Sequence, residues 1–324
     1  GKFMKKILGM GNAVLDVLVK ASDEYLKKNN LSKGTMTIVE EAESKKLLEK
    51  IVAIKKDSGG SIANTMVGIS ELGLKANFCG KVKDDLLGQE FVENIENSGV
   101  SFLCNKSTIG LSTARCIVLV TPDGERTMQT FLGASTTLEP KDIKESFFDE
   151  TSFLLIEGYL WSSPTARASV LKAIDIAKDK NVQIIFSLSD NTLVEMYKND
   201  FSELTTNIDV LIGNEREFKS LIGIDDKKEI LKTIASNVKT SVMTLGDKGA
   251  IACHNDEIVS TNSCTISKVI DTTGAGDMFA SGFIYKFFND SPIKESLQFG
   301  CKTASKIIGQ YGARPDSDLF KGLV

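Results

Sequence analysis

A chain of 324 residues that is 42% hydrophobic and 25% charged has the composition of a globular protein with a sizeable core. Its net charge of −4 and the lack of a dense Lys/Arg run argue against nucleic acid as the main ligand, and no apolar run reaches the roughly 18 residues of a membrane span. Six cysteines without a Cys-x-x-Cys pair, and no signal-like apolar stretch near the N-terminus, predict reduced thiols and a cytoplasmic location. The single histidine, His254, lies in the polar run His254-Asn255-Asp256 and is expected to be a solvated turn residue rather than a member of a triad or metal site.

In chain order, Lys6 to Met10 reads as a buried strand leading into Gly11-Asn12. Val14 to Val19 is apolar and β-branched, interrupted by Asp16. Glu41 to Ile54 has helical periodicity. Ser58-Gly59-Gly60 breaks the chain, and Ser61 to Leu72 reads as a helix ending at Gly73. Ala76 to Gly80 is a short strand, followed by a helix from Asp85 to Asn97. Ala114 to Val120 and Arg126 to Phe131 flank Thr121-Pro122-Asp123-Gly124-Glu125, whose Pro, Asp and Gly predict a hairpin turn. In the second half, Phe153 to Ile156, Val182 to Phe186, Val210 to Ile212 and Val242 to Leu245 are short apolar strands with helical patterns between them. Strands alternating with helices predict an α/β fold over 1–324: a mostly parallel central sheet flanked by helices. The β segments near 13–20, 35–39, 114–120 and 126–131 do not fit such a core and are expected to form a small β-sheet lid.

The most informative segment is Asp271-Thr272-Thr273-Gly274-Ala275-Gly276-Asp277, which joins a glycine turn to a helix. Glycines let backbone amides approach a ligand, and a helix N-terminus offers unpaired N–H groups that suit a phosphate. Asp277 then stands beside that cradle, where a base could take a proton from a hydroxyl. An anion cradle with an adjacent carboxylate is what phosphoryl transfer to an alcohol requires. Other phosphate motifs are missing or weak. There is no Gly-x-x-x-x-Gly-Lys-Ser/Thr, and Gly9-Met10-Gly11-Asn12-Ala13-Val14 lacks the third glycine and the helix of a dinucleotide fingerprint.

The whole run to Phe283 resembles the C-terminal motif of the ribokinase or PfkB family of sugar and nucleoside kinases. The resemblance implies a ribokinase-like fold, ATP and Mg²⁺, and leaves room for a monovalent cation. It implies that Asp277 is the base and that the amides of Gly274, Ala275 and Gly276 hold the transferred phosphoryl group. Gly11-Asn12-Ala13-Val14-Leu15-Asp16 is similar to the family's first motif, so Asn12 and Asp16 are implied in binding substrate hydroxyls. Ser58-Gly59-Gly60-Ser61-Ile62-Ala63-Asn64 resembles its Gly-Gly motif, which adds Gly59, Gly60 and Asn64. Asn214 and Glu217 match its Asn-x-x-Glu motif, with Glu217 acting on the metal through water. Thr244, Gly246 and Gly249 match its nucleotide loop, and Thr272 and Thr273 are expected near the ATP phosphates. Arg126, from the hairpin, is implied to reach the transferred phosphate, where a planar guanidinium suits two oxygens.

Within that family the chain looks most like bacterial adenosine-kinase-like members, through Leu31 to Glu40, Thr113 to Cys116, Thr121 to Met128, Glu157 to Trp161 and Gly312 to Pro315. Met36, Ile38, Met128, Tyr159 and Trp161 could supply a flat apolar slot for a purine, Tyr159 and Trp161 sharing a face if they lie on a strand. The expected reaction is phosphorylation of a primary hydroxyl, foremost the 5′-OH of adenosine. The alternatives are a free sugar such as ribose or fructose, and a non-catalytic ligand-binding regulator. The expected partner is a small nucleoside or sugar, and the chain is expected to be a monomer or a homodimer.

Overall fold

The computed structural model describes residues 5–262, 274–308 and 312–324. In chain order the strands are β1 (Lys6–Met10), β2 (Val14–Lys20), β3 (Met36–Ile38), β4 (Lys55–Gly59), β5 (Lys75–Cys79), β6 (Val100–Phe102), β7 (Ala114–Val120), β8 (Arg126–Phe131), β9 (Thr151–Glu157), β10 (Gln183–Ser187), β11 (Val210–Asn214), β12 (Thr240–Thr244), β13 (Ala250–His254) and β14 (Glu257–Thr261). The helices are α1 (Asp23–Lys28), α2 (Glu41–Glu49), α3 (Ser61–Glu71), α4 (Leu86–Asn97), α5 (Pro164–Asp179), α6 (Asn191–Met196), α7 (Lys198–Leu204), α8 (Glu215–Ile222), α9 (Lys227–Ile234), α10 (Ala275–Phe288) and α11 (Ile293–Ile308).

Nine strands form one sheet in the order β14-β13-β12-β11-β10-β9-β1-β5-β6. Pairing is parallel from β6 to β12, and β13 and β14 extend one edge antiparallel. Successive side chains in a strand point to opposite faces, so continuous apolar runs mean that both faces are buried. In β1, Leu8 and Met10 join the core with α5 and α8, while Ile7 joins the core with α3 and α10. In β9, Leu154 and Ile156 go to the first face, Phe153 and Leu155 to the second.

The strand order turns at β1: the chain places β5 and β6 on one side and β9 to β12 on the other. Open α/β sheets hold ligands at such a switch point, beyond the carboxyl ends of the strands. Met10 and Ile156 are register partners there. The next residues are Gly11 and Glu157.

A second sheet has five strands in the order β3-β8-β7-β2-β4. Its β7–β8 hairpin forms as the turn residues predict, with Val120 opposite Arg126. The expected segments at 13–20, 35–39, 114–120 and 126–131 all lie in this sheet. β4 was not foreseen. The helix expected over Glu41 to Ile54 ends at Glu49, and Lys55–Gly59 pairs antiparallel with β2. Lys-Lys-Asp-Ser-Gly carries no apolar period, so only its pairing with β2 makes it a strand. His254 also differs from expectation. It ends β13 half-buried, bonds Thr240 Oγ1 through Nδ1 at 2.8 Å and packs edge-on to Phe287.

Candidate active site

Two helix N-termini converge on Asp277. Gly274 has φ 81°, in the left-handed region, and starts α10; a Cβ there would meet Ala313 at 2.8 Å. Gly276 is exposed, and a Cβ there would meet nothing within 4 Å. Asp277 follows in the first turn. Ser61 Oγ donates to Asp277 Oδ1 at 2.6 Å, and Asn64 Nδ2 donates to Oδ2 at 3.3 Å. Both donors lie on the first turn of α3. Asn64 Oδ1 is a buried acceptor with no hydrogen-bond partner among the described residues. Burial raises the Asp277 pKa to about 6, against the lowering effect of its Ser61 and Asn64 bonds. A carboxylate ionising there is a competent base near neutral pH.

The ladder of the second sheet sorts its residues. Asp16 lies opposite Cys116, Cys116 opposite Thr130, and Thr130 opposite Ile38. Val118 lies opposite Met128, and Met128 opposite Met36. Paired residues share a face, as do residues two apart on one strand. Asp16, Met36, Ile38, Arg126 and Met128 therefore present from one face of the sheet. Met36 and Ile38 are 53% and 54% exposed. On that face, burial first, then the Asp57 and Asp277 charges, raise the Asp16 pKa to about 7, while Arg126 and Arg314 pull it down.

The glycine pair packs on these groups. A Cβ on Gly59 would stand 2.4 to 2.5 Å from the Asp16 carboxyl atoms. Gly60 has φ 98°, and a Cβ there would meet Asn12 O at 2.4 Å. Replacing Gly59 with Ala is expected to displace the Asp16 carboxylate and to lower kcat/KM for the acceptor by on the order of 10²-fold, with the KM for ATP little changed. Steady-state kinetics with each reactant varied separately measures this.

Beside Asp277 a cleft of about 470 Å³ is lined by Ser61, Asn214, Glu217, Thr244, Gly246 and Gly276 among others. Asn214 and Glu217 form a reciprocal cap of α8: Glu217 N donates to Asn214 Oδ1 at 2.8 Å, and Asn214 N donates to Glu217 Oε1 at 2.9 Å. Gly249 does not line this cleft. Its φ of 92°, and Thr261 O within 2.0 Å of a built Cβ, make it a tight connection between β12 and β13. Thr272 and Thr273 lie outside the described residues. A larger cavity, about 850 Å³, includes Gln183, Thr240 and His254 at the other end of the strands and contains none of the expected site residues.

Of the two aromatics expected in the slot, Trp161 packs in the core, while Tyr159 stays partly exposed. Gly158–Ser162 is a 3-10 turn, not a strand. Trp161 is 5% exposed, donates its indole N–H to Asp200 Oδ2 at 2.9 Å and packs edge-on to Phe201, so it is core. Tyr159 bonds Ser189 O through its hydroxyl at 3.2 Å.

Two buried residues were missed as site groups. Glu157 is 1% exposed and takes the Asn12 and Ile62 N–H groups; burial raises its pKa to about 7. Its sequence signal was a lone acid ending an apolar strand, which must find partners. Arg314 donates to Ser58 Oγ at 2.9 Å and also bonds Asn94 and Ser98, backing β4 behind Gly59.

Asp16, Glu157 and Asp277 all have pKa values raised by burial. A carboxyl harder to ionise when folded stabilises the fold below its unfolded pKa, and that contribution is lost as pH rises through the folded value. The loss here spans roughly pH 4 to pH 7. Asp277→Asn removes one such group, so it is expected to melt above the wild type at pH 8, with the gap about halved at pH 5. Thermal melts of both proteins at the two pH values check this.

The start of α10 thus sets Asp277 beside a cleft lined by Asn214, Glu217 and Thr244, within electrostatic reach of Asp16. The model of the pfkB family carbohydrate kinases matches residues 27–319, and the chain belongs to that family. It is 28% identical over 276 residues to 5-dehydro-2-deoxygluconokinase of Geobacillus kaustophilus, covering 82% of each chain. Among solved structures it is similar to the adenosine kinase of Sinorhizobium meliloti, with TM-score 0.88 and 32% identity over 98% of this chain and 97% of that one. A probable sugar kinase of Rhizobium etli has TM-score 0.88 and 33% identity over 98% of this chain and 96% of that one. The protein is thus a ribokinase-like phosphotransferase for a sugar or nucleoside hydroxyl.

Proposed function

We propose that the protein transfers the γ-phosphoryl group of ATP to a primary hydroxyl of a free sugar or close sugar derivative. The carrying observation is Asp277, held by Ser61 and Asn64 at the mouth of the α10 cradle. The base takes the hydroxyl proton, and the amides of Gly274 to Asp277 stabilise the charge on the phosphoryl oxygens. Asp16 accepts hydrogen bonds from vicinal hydroxyls, and Arg126 offsets phosphoryl charge from the lid sheet. Asn214, Glu217, Thr244 and Gly246 line the ATP side. Among the described residues no group of three or more His, Cys, Asp or Glu is placed to hold a metal. Mg²⁺ needs no such cage, since it takes phosphate oxygens and waters and would offset phosphate charge; Glu217, with Oε1 held by Asn214 N, fits a role through water. Closure of the second sheet excludes water and favours transfer over hydrolysis.

The curated relatives support a sugar over adenosine, the first expectation. The burial of Trp161 in the core, which takes one aromatic from the slot, points the same way. Adenosine remains a second reading because Met36, Ile38 and Met128 form an apolar patch on the Asp16 face, and because of the Sinorhizobium relative. ADP release measured with D-ribose, D-fructose, 5-dehydro-2-deoxygluconate and adenosine decides between them. A sugar-type acceptor is expected to lead in kcat/KM. A lead for adenosine of about ten- to a hundred-fold, the worth of base stacking, would establish the second reading instead.

A further inference from the structure

We infer that Glu157 is a positioning residue: its carboxylate holds the Asn12 turn and the start of α3 together, and so places the two side chains that hold the base. The inference rests on Asp277 being that base. Glu157 ends β9 at the switch point, in register one step beyond the Met10–Ile156 pair. Its two oxygens serve different segments. Oε1 accepts Asn12 N–H at 2.9 Å and Oε2 accepts Ile62 N–H at 3.1 Å.

The start of α3 has no cap of its own. Its N-cap is Gly60, which brings no side chain. Helices leave their first N–H groups unpaired, and a cap oxygen normally accepts from the second or third of them. Ile62 is the second residue of α3, so Glu157 supplies from 95 positions away what Gly60 lacks. Gly11 makes room for it: a Cβ there would lie 2.9 Å from Glu157 Oε2.

The same helical turn carries Ser61 and Asn64, which bond Asp277. Thr65 Oγ1 donates to Asp277 O at 3.2 Å, and Ser281 Oγ donates to Thr65 O at 2.8 Å, so α3 and α10 are locked at this level. A shift of the α3 start therefore moves Ser61 and Asn64 and turns the Asp277 carboxylate they hold. Asn12, on the other oxygen, moves with it.

Two variants loosen the staple differently. Glu157→Gln keeps the shape but turns an amide NH2 against one of the two backbone N–H groups. Gly11→Ala keeps the carboxylate and crowds it. The measurements are hydrogen exchange of residues 61–65 in the ligand-free protein, and kcat and KM with ATP, Mg²⁺ and the best acceptor of the panel above. Both variants are expected to exchange ~5–10-fold faster over the first turn of α3 and to lose ~10–100-fold in kcat, with the KM for ATP within about threefold. Unchanged exchange would overturn the staple. Slower turnover with unchanged exchange would mean that Glu157 acts on substrate directly, and faster exchange with wild-type kcat would show that the staple does not govern the site. Wild-type turnover in Asp277→Asn would count against the base reading, while the exchange result still judges the staple by itself.

Discussion

Replacing Asp277 with Asn is expected to lower kcat by ~10²–10⁴-fold while ATP binding largely survives. The change keeps the size of the side chain, and its amide can still bond Asn64 through its oxygen and Ser61 through its NH2 once the Ser61 hydroxyl turns to accept. It removes the proton acceptor. Because the pKa of Asp277 is raised to about 6, the wild-type rate is expected to fall as pH drops below that value, when the base becomes protonated. Steady-state rates from pH 5 to 8, with ATP affinity measured by calorimetry, separate the effects. Turnover near wild type in the variant would eliminate Asp277 as the base.

The second large effect is expected at Asp16. Hydrogen bonds to a charged group are worth about 1.5–3 kcal/mol, so Asp16→Ala should lower kcat/KM for an acceptor with vicinal hydroxyls by roughly ten- to a hundred-fold or more. An analogue lacking those hydroxyls cannot use the contact and should lose far less. Comparing enzyme and substrate deletions isolates the interaction. Equal losses for both acceptors would mean that Asp16 is structural. The burial of Asp16 between Asp57, Arg126 and Arg314 makes its removal informative for stability too, so folding is checked by thermal melts of the same samples.

Much of the site was legible because glycines and polar residues interrupt otherwise apolar runs where no core needs them. Gly59-Gly60 and Gly274-Ala275-Gly276-Asp277 stand out in this way, and the structure places both around Asp277 and Asp16. The β segments of the second sheet were equally readable from their apolar runs and hairpin turn, but that Asp16, Arg126 and Met128 share one face follows only from the strand register. What failed depended on tertiary partners. Lys55–Gly59 is polar and becomes a strand only by pairing with β2. Trp161 follows a strand directly, but the chain turns at Gly158, and Asp200 and Phe201 draw Trp161 into the core. Glu157 was visible as an isolated acid, yet its role depends on Asn12 and Ile62, which are remote in sequence.

The most direct measurement follows the γ-phosphate of ATP by phosphorus NMR in the presence of Mg²⁺ and the panel of acceptors. The expected result is a phosphate monoester at the primary hydroxyl of one acceptor, formed in step with ADP and lost in Asp277→Asn. Release of inorganic phosphate alone, or no consumption of ATP with any sugar or nucleoside, would contradict phosphoryl transfer to a hydroxyl at this site.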